Sequence, residues 1–330
     1  MRIARKSPSG VTIGQADVPE PAAGQIRVRV TACGICGTDL QENPSAPDTP
    51  EGFGHEIAGV VDALGEGVPN LALGDRIALD SATPCGRCDA CRNARQELCT
   101  DVQSFFYLGS FGFADYMLVP AICAIPCADL DPAVACLQEP LGVAIDMVRL
   151  AEIGPRSNVL IMGGGPIGLM ALALARAAGA RHVFLSQGAR RRARCALALK
   201  WGADAVVPPE QVTSFAFGCE LDRVLVTAPP KVLPDAFAVA AKGAIVSFVG
   251  IEHGDGAFCR FDANAFHFKK LQLRASFASP ALFGPLALQY LREGVVDGDA
   301  LISHRFGLDD LAQAMAATFE PDAIKVVVEP

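Results

Sequence analysis

Asn158-Val159-Leu160-Ile161-Met162-Gly163-Gly164-Gly165-Pro166-Ile167-Gly168 is the stretch whose reading decides the fold. Its first five residues are a short, largely apolar run, the composition of a strand buried on both faces. Glycines at 163, 165 and 168 follow at once, and then a helical apolar run over 169–178. A G-x-G-x-x-G pattern says little alone, but between a strand and a helix it marks a dinucleotide site. Gly163 permits the turn, Gly165 lets backbone amides approach a pyrophosphate, and Gly168 lets helix and strand pack closely, with Pro166 and Ile167 completing the loop. The helix N-terminus then faces the phosphates.

Downstream, strands are expected over 182–185, 205–207, 223–226, 244–249 and 271–275, with helices over 190–201 and 233–241, punctuated by Gly179, Gly202, Gly243 and Gly250. Alternating strands and helices imply a doubly wound parallel sheet, an α/β fold of the Rossmann type. The second strand runs into Ser186-Gln187-Gly188-Ala189-Arg190-Arg191-Arg192. A site for NAD places an acid there to hold the ribose hydroxyls, and none is present. Ser186, Gln187, Arg190 and Arg191 are the candidates for the ribose and a 2′-phosphate, so NADP is favoured over NAD. The bland alternative is a solvated, charged helix face.

Upstream, residues 1–130 alternate short apolar stretches (26–30, 57–61, 76–80, 114–119) with Gly and Pro turns, the pattern of a β-rich, barrel-like domain. Two clusters in it carry metal chemistry. Cys85, Cys88, Cys91 and Cys99 can close a tetrahedron around one zinc and leave no open position, which makes a structural site. An iron-sulfur cluster competes, but the short fourth gap of a ferredoxin run is missing. Cys36, in Gly34-Ile35-Cys36-Gly37-Thr38-Asp39, and His55 and Glu56, in Gly54-His55-Glu56, supply the mixed donors of a catalytic zinc, or else a buried thiol, a loop histidine and a solvated acid. A helical pattern begins at Asp131, and within it Glu139 precedes Pro140, an acid on an apolar face that is either a remote ligand or a helix-end carboxylate.

The chain has 330 residues, 51% of them hydrophobic, with a formal charge of −8. Mean hydropathy is +0.31, yet Gly and Pro interrupt every apolar run short of a membrane span. The negative charge and the lack of a basic stripe exclude nucleic acid as a partner. Met1-Arg2-Ile3-Ala4-Arg5-Lys6 is basic but is not followed by the apolar segment of a secretory signal, so a cytoplasmic protein is expected. Of the twelve cysteines, Cys33, Cys123, Cys127, Cys136, Cys195, Cys219 and Cys259 read as packing residues.

Taken together, the motifs at 34–39, 54–56, 85–99, 139–141 and 163–168 give a chain that resembles the zinc-dependent medium-chain alcohol and polyol dehydrogenases, on the sorbitol and threonine dehydrogenase side. The resemblance implies a GroES-like catalytic domain over 1–140 and 278–330, a Rossmann domain over 141–277, and a cleft between them for cofactor and substrate. It implies one catalytic and one structural zinc, with Cys36 and His55 matching catalytic ligands, Glu139 the third ligand of the polyol-type branch, and Glu56 an acid that can enter or leave the coordination shell. Thr38 matches the hydroxyl that relays the substrate proton and Asp39 the acid that orients the ligand histidine. Arg305 resembles a late arginine that reaches the cleft and cofactor. Gln41 stands where relatives often carry histidine, so the relay continues differently or reaches water sooner.

The implied reaction is hydride transfer between a secondary alcohol, polyol or sugar alcohol and NAD(P), in a homodimer or homotetramer, with a small alcohol or ketone as substrate. One alternative is an NADPH-dependent reductase of larger aldehydes or ketones, with Phe105, Phe106, Tyr107, Phe111 and Phe113 either lining an apolar pocket or belonging to the core. Another is a non-catalytic dinucleotide-binding protein, against which Cys36, His55 and Glu139 all speak.

Overall fold

The computed structural model describes residues 1–41 and 49–330. It divides into two units, one of Met1–Gly142, Ala278–Phe319 and Lys325–Pro330, the other of Val143–Phe277 and Glu320–Ile324.

The first unit is built on a seven-stranded sheet. Its order is Ile302–Gly307, Lys325–Glu329, Gln25–Gly34, Glu56–Leu64, Arg76–Leu79 and Ala124–Pro126, with Tyr116–Pro120 also paired to Gln25–Gly34. In Gln25–Gly34 the residues Ile26, Val28 and Val30 are buried while Arg29 between them is exposed, the two-residue period of a half-buried strand. Those side chains join Ile57, Ile77, Phe105 and Phe113 in one core. Each contributes about 1.5–3 kcal/mol by leaving water. Alternation stops at the end of this strand, where Ala32, Cys33 and Gly34 are all buried. Gly34 lies opposite Glu56 on one side and Val327 on the other. A Cβ on Gly34 would fall on the Glu56 carboxylate, so this close approach requires glycine.

The helical pattern that begins at Asp131 is two helices, Pro132–Ala135 and Gln138–Leu150. Pro140 explains the break: it has no N–H to give the carbonyl of Cys136, and its ring clashes with that carbonyl in a continuous helix. A fresh start at Gln138 puts Pro140 in the first turn, where no such bond is needed, and Glu139 with it.

In the second unit six parallel strands run in the order Ala205–Val207, His182–Ser186, Asn158–Met162, Leu221–Val226, Ala240–Phe248, Gln272–Ala275. The third, second and first strands of this unit thus precede the fourth, fifth and sixth, and the order reverses between Asn158–Met162 and Leu221–Val226. Ligands of such sheets bind at the carboxyl ends of the strands where the order reverses. Val159, Leu160 and Ile161 are fully buried, as a central strand covered on both faces must be. The helix expected over 233–241 stops at Val239, because Ala240 already pairs with Leu221 in the sheet. Among the described residues no helix is long and apolar enough to cross a membrane.

Residues 320–324 belong to the second unit although the chain on either side belongs to the first. Arg191 Nη1 donates to the Glu320 carbonyl at 2.9 Å, Arg192 pairs with Asp322 at 3.1 Å and Arg194 Nε donates to the Ala323 carbonyl at 2.9 Å. Burial, and then the like charge of Arg191, bring Arg194 down to about 10.

Candidate active site and metal centres

Cys36 ends the turn after Gly34 and stands before the short helix Gly37–Leu40. Its N–H donates to Asp39 Oδ2 at 2.8 Å, and the other oxygen of Asp39 lies 3.9 Å from His55 Nδ1. Asp39 thus fixes the thiol-bearing loop and faces the imidazole, the arrangement that orients a ligand histidine. Lys6 braces the same loop, its Nζ donating to the carbonyls of Asp39 and Gln41 at 2.6 Å each. Thr38 is exposed on the turn that follows Cys36.

The donor atoms of Cys36, His55 and Glu56 all lie within 4.8 Å of one another. Glu139 is not a member of this tight group; it stands beside it, accepting a hydrogen bond from Ser81 Oγ at 3.4 Å. Burial pushes the Glu139 carboxyl up to about 7, the charge of His55 opposing and that of Glu56 adding. Burial by itself would lower the His55 pKa, but its hydrogen bond with Cys36 and the charges of Glu139, Cys36 and Asp39 hold it well above the ordinary value. A raised Glu139 carboxyl beside a raised His55 imidazole marks donor groups crowded together out of water. A thiol, an imidazole and a carboxylate in that setting fit a zinc ion.

Sequence reasoning missed the cation already present. Lys325, 2% exposed, forms an ion pair with Glu56 Oε2 and donates to the Ile35 carbonyl at 2.8 Å. Burial works to lower its pKa, but the attraction of Glu56 and then Cys36 raises it above the ordinary lysine value. A signal was available: a lone lysine opening the apolar run Lys325-Val326-Val327-Val328 needs a buried partner.

One strand further along, Leu79-Asp80-Ser81 grips the start of the helix that carries Glu139. Gln138 Nε2 donates to Asp80 Oδ1 at 2.7 Å while Ser81 reaches Glu139. Burial raises the Asp80 pKa to about 6, with the Gln138 donor pulling the other way. A carboxyl whose folded pKa exceeds its unfolded one favours folding fully at low pH and loses that contribution as pH rises through about 6. The loss is on the order of 3 kcal/mol. Asp80→Asn is therefore expected to be more stable than the parent at pH 7.5 and to unfold in urea with a midpoint that changes less between pH 4 and 7. A parent whose midpoint is flat over that range would dismiss the idea.

The four cysteines of the lobe, Cys85, Cys88, Cys91 and Cys99, also bring their sulfurs within 4.8 Å of one another. Backbone amides point at them: Cys88 N–H donates to Cys85 Sγ at 3.3 Å and Asp101 N–H to Cys99 Sγ at 3.4 Å. The amides of Cys91 and Thr100 bring Cys88 down to about 6, while burial pushes Cys91 up to about 12. Four sulfurs converging with amides aimed at them fit a tetrahedral zinc with no open position. Among the cysteines read as packing residues, Cys33, Cys123, Cys127 and Cys136 are buried, Cys195 and Cys219 are half-buried, and Cys259 is exposed. Cys259 is thus no packing residue.

In the second unit the glycine loop takes the conformation its sequence requires. Gly163 has φ +117°, and a Cβ on Gly168 would strike the Gly163 carbonyl. A Cβ on Gly165 would meet nothing, and no side chain caps the helix Pro166–Ala177, which leaves its first amides without a capping acceptor. That opening fits a pyrophosphate. Gln187 Oε1 accepts from Gly164 N–H at 2.9 Å, and the Ser186 side chain is buried. Arg190 is exposed, whereas Arg191 reaches the Glu320 carbonyl. Arg305, expected to reach the cofactor, is instead engaged by Glu329 at 2.7 Å and Asp131 at 3.1 Å. Two carboxylates of its own unit explain its place, and nothing in the structure assigns it to a nucleotide.

A barrel carrying a Cys-His-Glu centre and a Rossmann sheet define a metal-assisted, dinucleotide-dependent oxidoreductase. Comparison with known proteins agrees. Residues 22–129 match the alcohol dehydrogenase GroES-like domain and residues 166–288 the zinc-binding dehydrogenase domain. L-threonine 3-dehydrogenase of Thermococcus kodakarensis is 36% identical over 256 residues, covering 73% of this chain and 72% of its own. Sorbitol dehydrogenase of Arabidopsis thaliana is 32% identical, covering 88% of this chain and 83% of its own. A zinc-binding dehydrogenase of Sinorhizobium meliloti 1021, solved with NADP bound, superposes with a TM-score of 0.87 at 32% identity, over 100% of this chain and 99% of its own. The chain belongs to the zinc-dependent medium-chain alcohol and polyol dehydrogenases. It is an oxidoreductase that acts on CH–OH groups of small molecules with zinc and a nicotinamide cofactor.

Proposed function

We propose that this enzyme interconverts a secondary alcohol, polyol or sugar alcohol and its ketone, with NADP preferred to NAD and two zinc ions per chain. The observation that carries the reading is the convergence of Cys36, His55 and Glu56 within 4.8 Å at the end of the barrel sheet. Cys36 and His55 would hold the catalytic ion with Glu56 or Glu139 as the carboxylate ligand, and the four lobe cysteines would hold the structural one. When bound, the catalytic zinc supplies Lewis-acid polarisation of the substrate oxygen, and the nicotinamide supplies the hydride acceptor or donor. Thr38, exposed beside Cys36, takes the hydroxyl proton and passes it toward water. Asp39 keeps the His55 imidazole in place while it does so.

Support for NADP comes from an exposed Arg190 next to a strand end with no acid to repel a 2′-phosphate. Support for a homodimer or homotetramer comes from the edge strand Gln272–Ala275. Among the described residues it pairs on one side only, and it exposes Leu273, with Phe268 (72% exposed) and Phe277 (79%) at its flanks. An edge of that kind is normally covered. We place the enzyme in the cytoplasm, since clustered thiols serve as ligands where they stay reduced.

The test is elemental analysis with steady-state kinetics. Close to two zincs per chain and turnover of polyols or secondary alcohols are expected. Arg190→Ala should raise the KM for NADP about tenfold and leave NAD unaffected; equal effects on both nucleotides would remove the case for NADP. Light scattering should give a multiple of the 34.5 kDa chain, and a monomer would exclude the oligomer. Protein holding both zincs that oxidises or reduces no alcohol or ketone with either nucleotide would overturn the reaction itself.

A further inference from the structure

A hydroxyl that hands the substrate proton to water must stand in one place, and the turn that carries Thr38 has little of its own to keep it there. Gly37–Leu40, with Cys36 before it and Thr38 and Asp39 within it, is a helix of four residues. Isolated helices shorter than about 12–15 residues are marginal in water, so this one depends on what touches it. At its start Asp39 Oδ2 holds the Cys36 N–H. Leu40 packs on the barrel core, an apolar contact with no preferred direction. What fixes the far end is Lys6.

Lys6 lies on the first strand, Arg2–Ser7, and its main chain is anchored there. Its N–H donates to the Glu51 carbonyl at 2.8 Å and its carbonyl accepts from the Glu51 N–H at 2.9 Å. From that anchor the side chain extends to the turn, where Nζ donates to the carbonyls of Asp39 and Gln41 at 2.6 Å each. Hydrogen bonds from an ammonium are about twice as strong as neutral ones, and a cation at the C-terminal end of a helix also meets the negative end of its dipole. The two carbonyls flank Leu40 and follow Thr38 directly in the chain. One half-buried ammonium thus sets both the height and the rotation of the turn from which the Thr38 side chain projects.

We propose that Lys6 is a positioning residue for proton transfer: its ammonium clamps the carbonyls of Asp39 and Gln41 and so holds the Thr38 hydroxyl where the reaction uses it. The proposal rests on the reading of Thr38 as the hydroxyl that takes the substrate proton. It adds to that reading a residue from the far side of the turn that never touches substrate.

The test replaces Lys6 by Met, which keeps the reach of the side chain and loses its donors, alone and together with Thr38→Val. Single-turnover oxidation by NADP is followed in the zinc-loaded enzyme with sorbitol or 2,3-butanediol, whichever the parent oxidises faster. Lys6→Met should slow it about 10–100-fold, the loss expected of a reacting group displaced by about 1 Å, with the KM values for alcohol and NADP within about twofold of the parent. In the Thr38→Val background Lys6→Met should change the rate by less than about twofold, because a residue that acts through Thr38 then has nothing to act on. Hydrogen exchange in the peptide 36–41 should speed up at least about tenfold in Lys6→Met and stay unchanged in the strand Glu56–Leu64, with the zinc count of the parent. An equal loss of rate with and without Thr38, exchange at 36–41 as slow as in the parent, or loss of zinc from Lys6→Met overturns the role of Lys6. Thr38→Val at the parental rate overturns the relay reading itself, and the role of Lys6 in the reaction with it. A parent that oxidises neither alcohol, with exchange at 36–41 still governed by residue 6, overturns the reaction and upholds the clamp.

Discussion

With alanine at Cys36 the enzyme is expected to lose at least three orders of magnitude in turnover while binding reduced nucleotide as the parent does. Lewis-acid assistance is worth several kcal/mol, and each 1.36 kcal/mol is a factor of about ten in rate. Cys36 is the one thiol in the Cys36–His55–Glu56 group, so its loss leaves two donors where zinc needs about three. The nucleotide loop lies in the other unit, on a sheet with its own core, and has no reason to change. Fluorescence titration with NADPH, a zinc count and steady-state rates read the three effects separately. One zinc fewer per chain is expected, and undiminished turnover would refute the catalytic centre.

Lys325→Met should have the largest effect on stability. The pair it forms with Glu56 is almost wholly enclosed, each side chain 2% exposed. Removing one partner of such a pair typically costs about 3–5 kcal/mol, since it strands the other charge in a medium that solvates it poorly. If zinc is held as proposed it is a second counter-charge for Glu56, so the loss should be greater in chelated protein than in loaded protein. Adding Glu56→Gln to Lys325→Met should restore much of the stability but not all, because the Ile35 carbonyl still lacks its donor. Urea unfolding of the single and double variants, with and without chelator, decides the matter. A single variant as stable as the parent would mean that the pair is not what holds Glu56.

These two residues also mark where sequence reading succeeds and where it stops. Cys36, the lobe cysteines and the glycine loop were legible because their chemistry lies in short spacings: thiols three apart, or glycines just after a strand. The parallel sheet was legible because Val159 to Met162 and its successors are apolar runs closed by glycines. Helix ends were less so. Pro140 splits one apparent helix by its effect on a carbonyl four residues back, and Ala240, at home in helix or strand, goes to the strand because Leu221 pairs with it. The partners of Arg305, Arg191 and Glu56 were not legible at all. They come from segments distant in the chain, and only the folded sheet brings Asp131, Glu320 and Lys325 to them. Phe105 and Phe106 were indistinguishable as letters, and a single tight turn sends one inward and leaves the other facing His55.

The position of Lys325 has a consequence for how the molecule is made. On the ribosome Gly34 and Glu56 emerge early, and the whole second unit, residues 143–277, is synthesised before the strand Lys325–Glu329 that pairs with Gly34. Until that strand docks, the nascent barrel lacks both a central partner for Gln25–Gly34 and the ammonium that faces Glu56. The Glu56 carboxylate therefore meets its ammonium, and the pocket its final charge balance, only after the nucleotide fold has been translated.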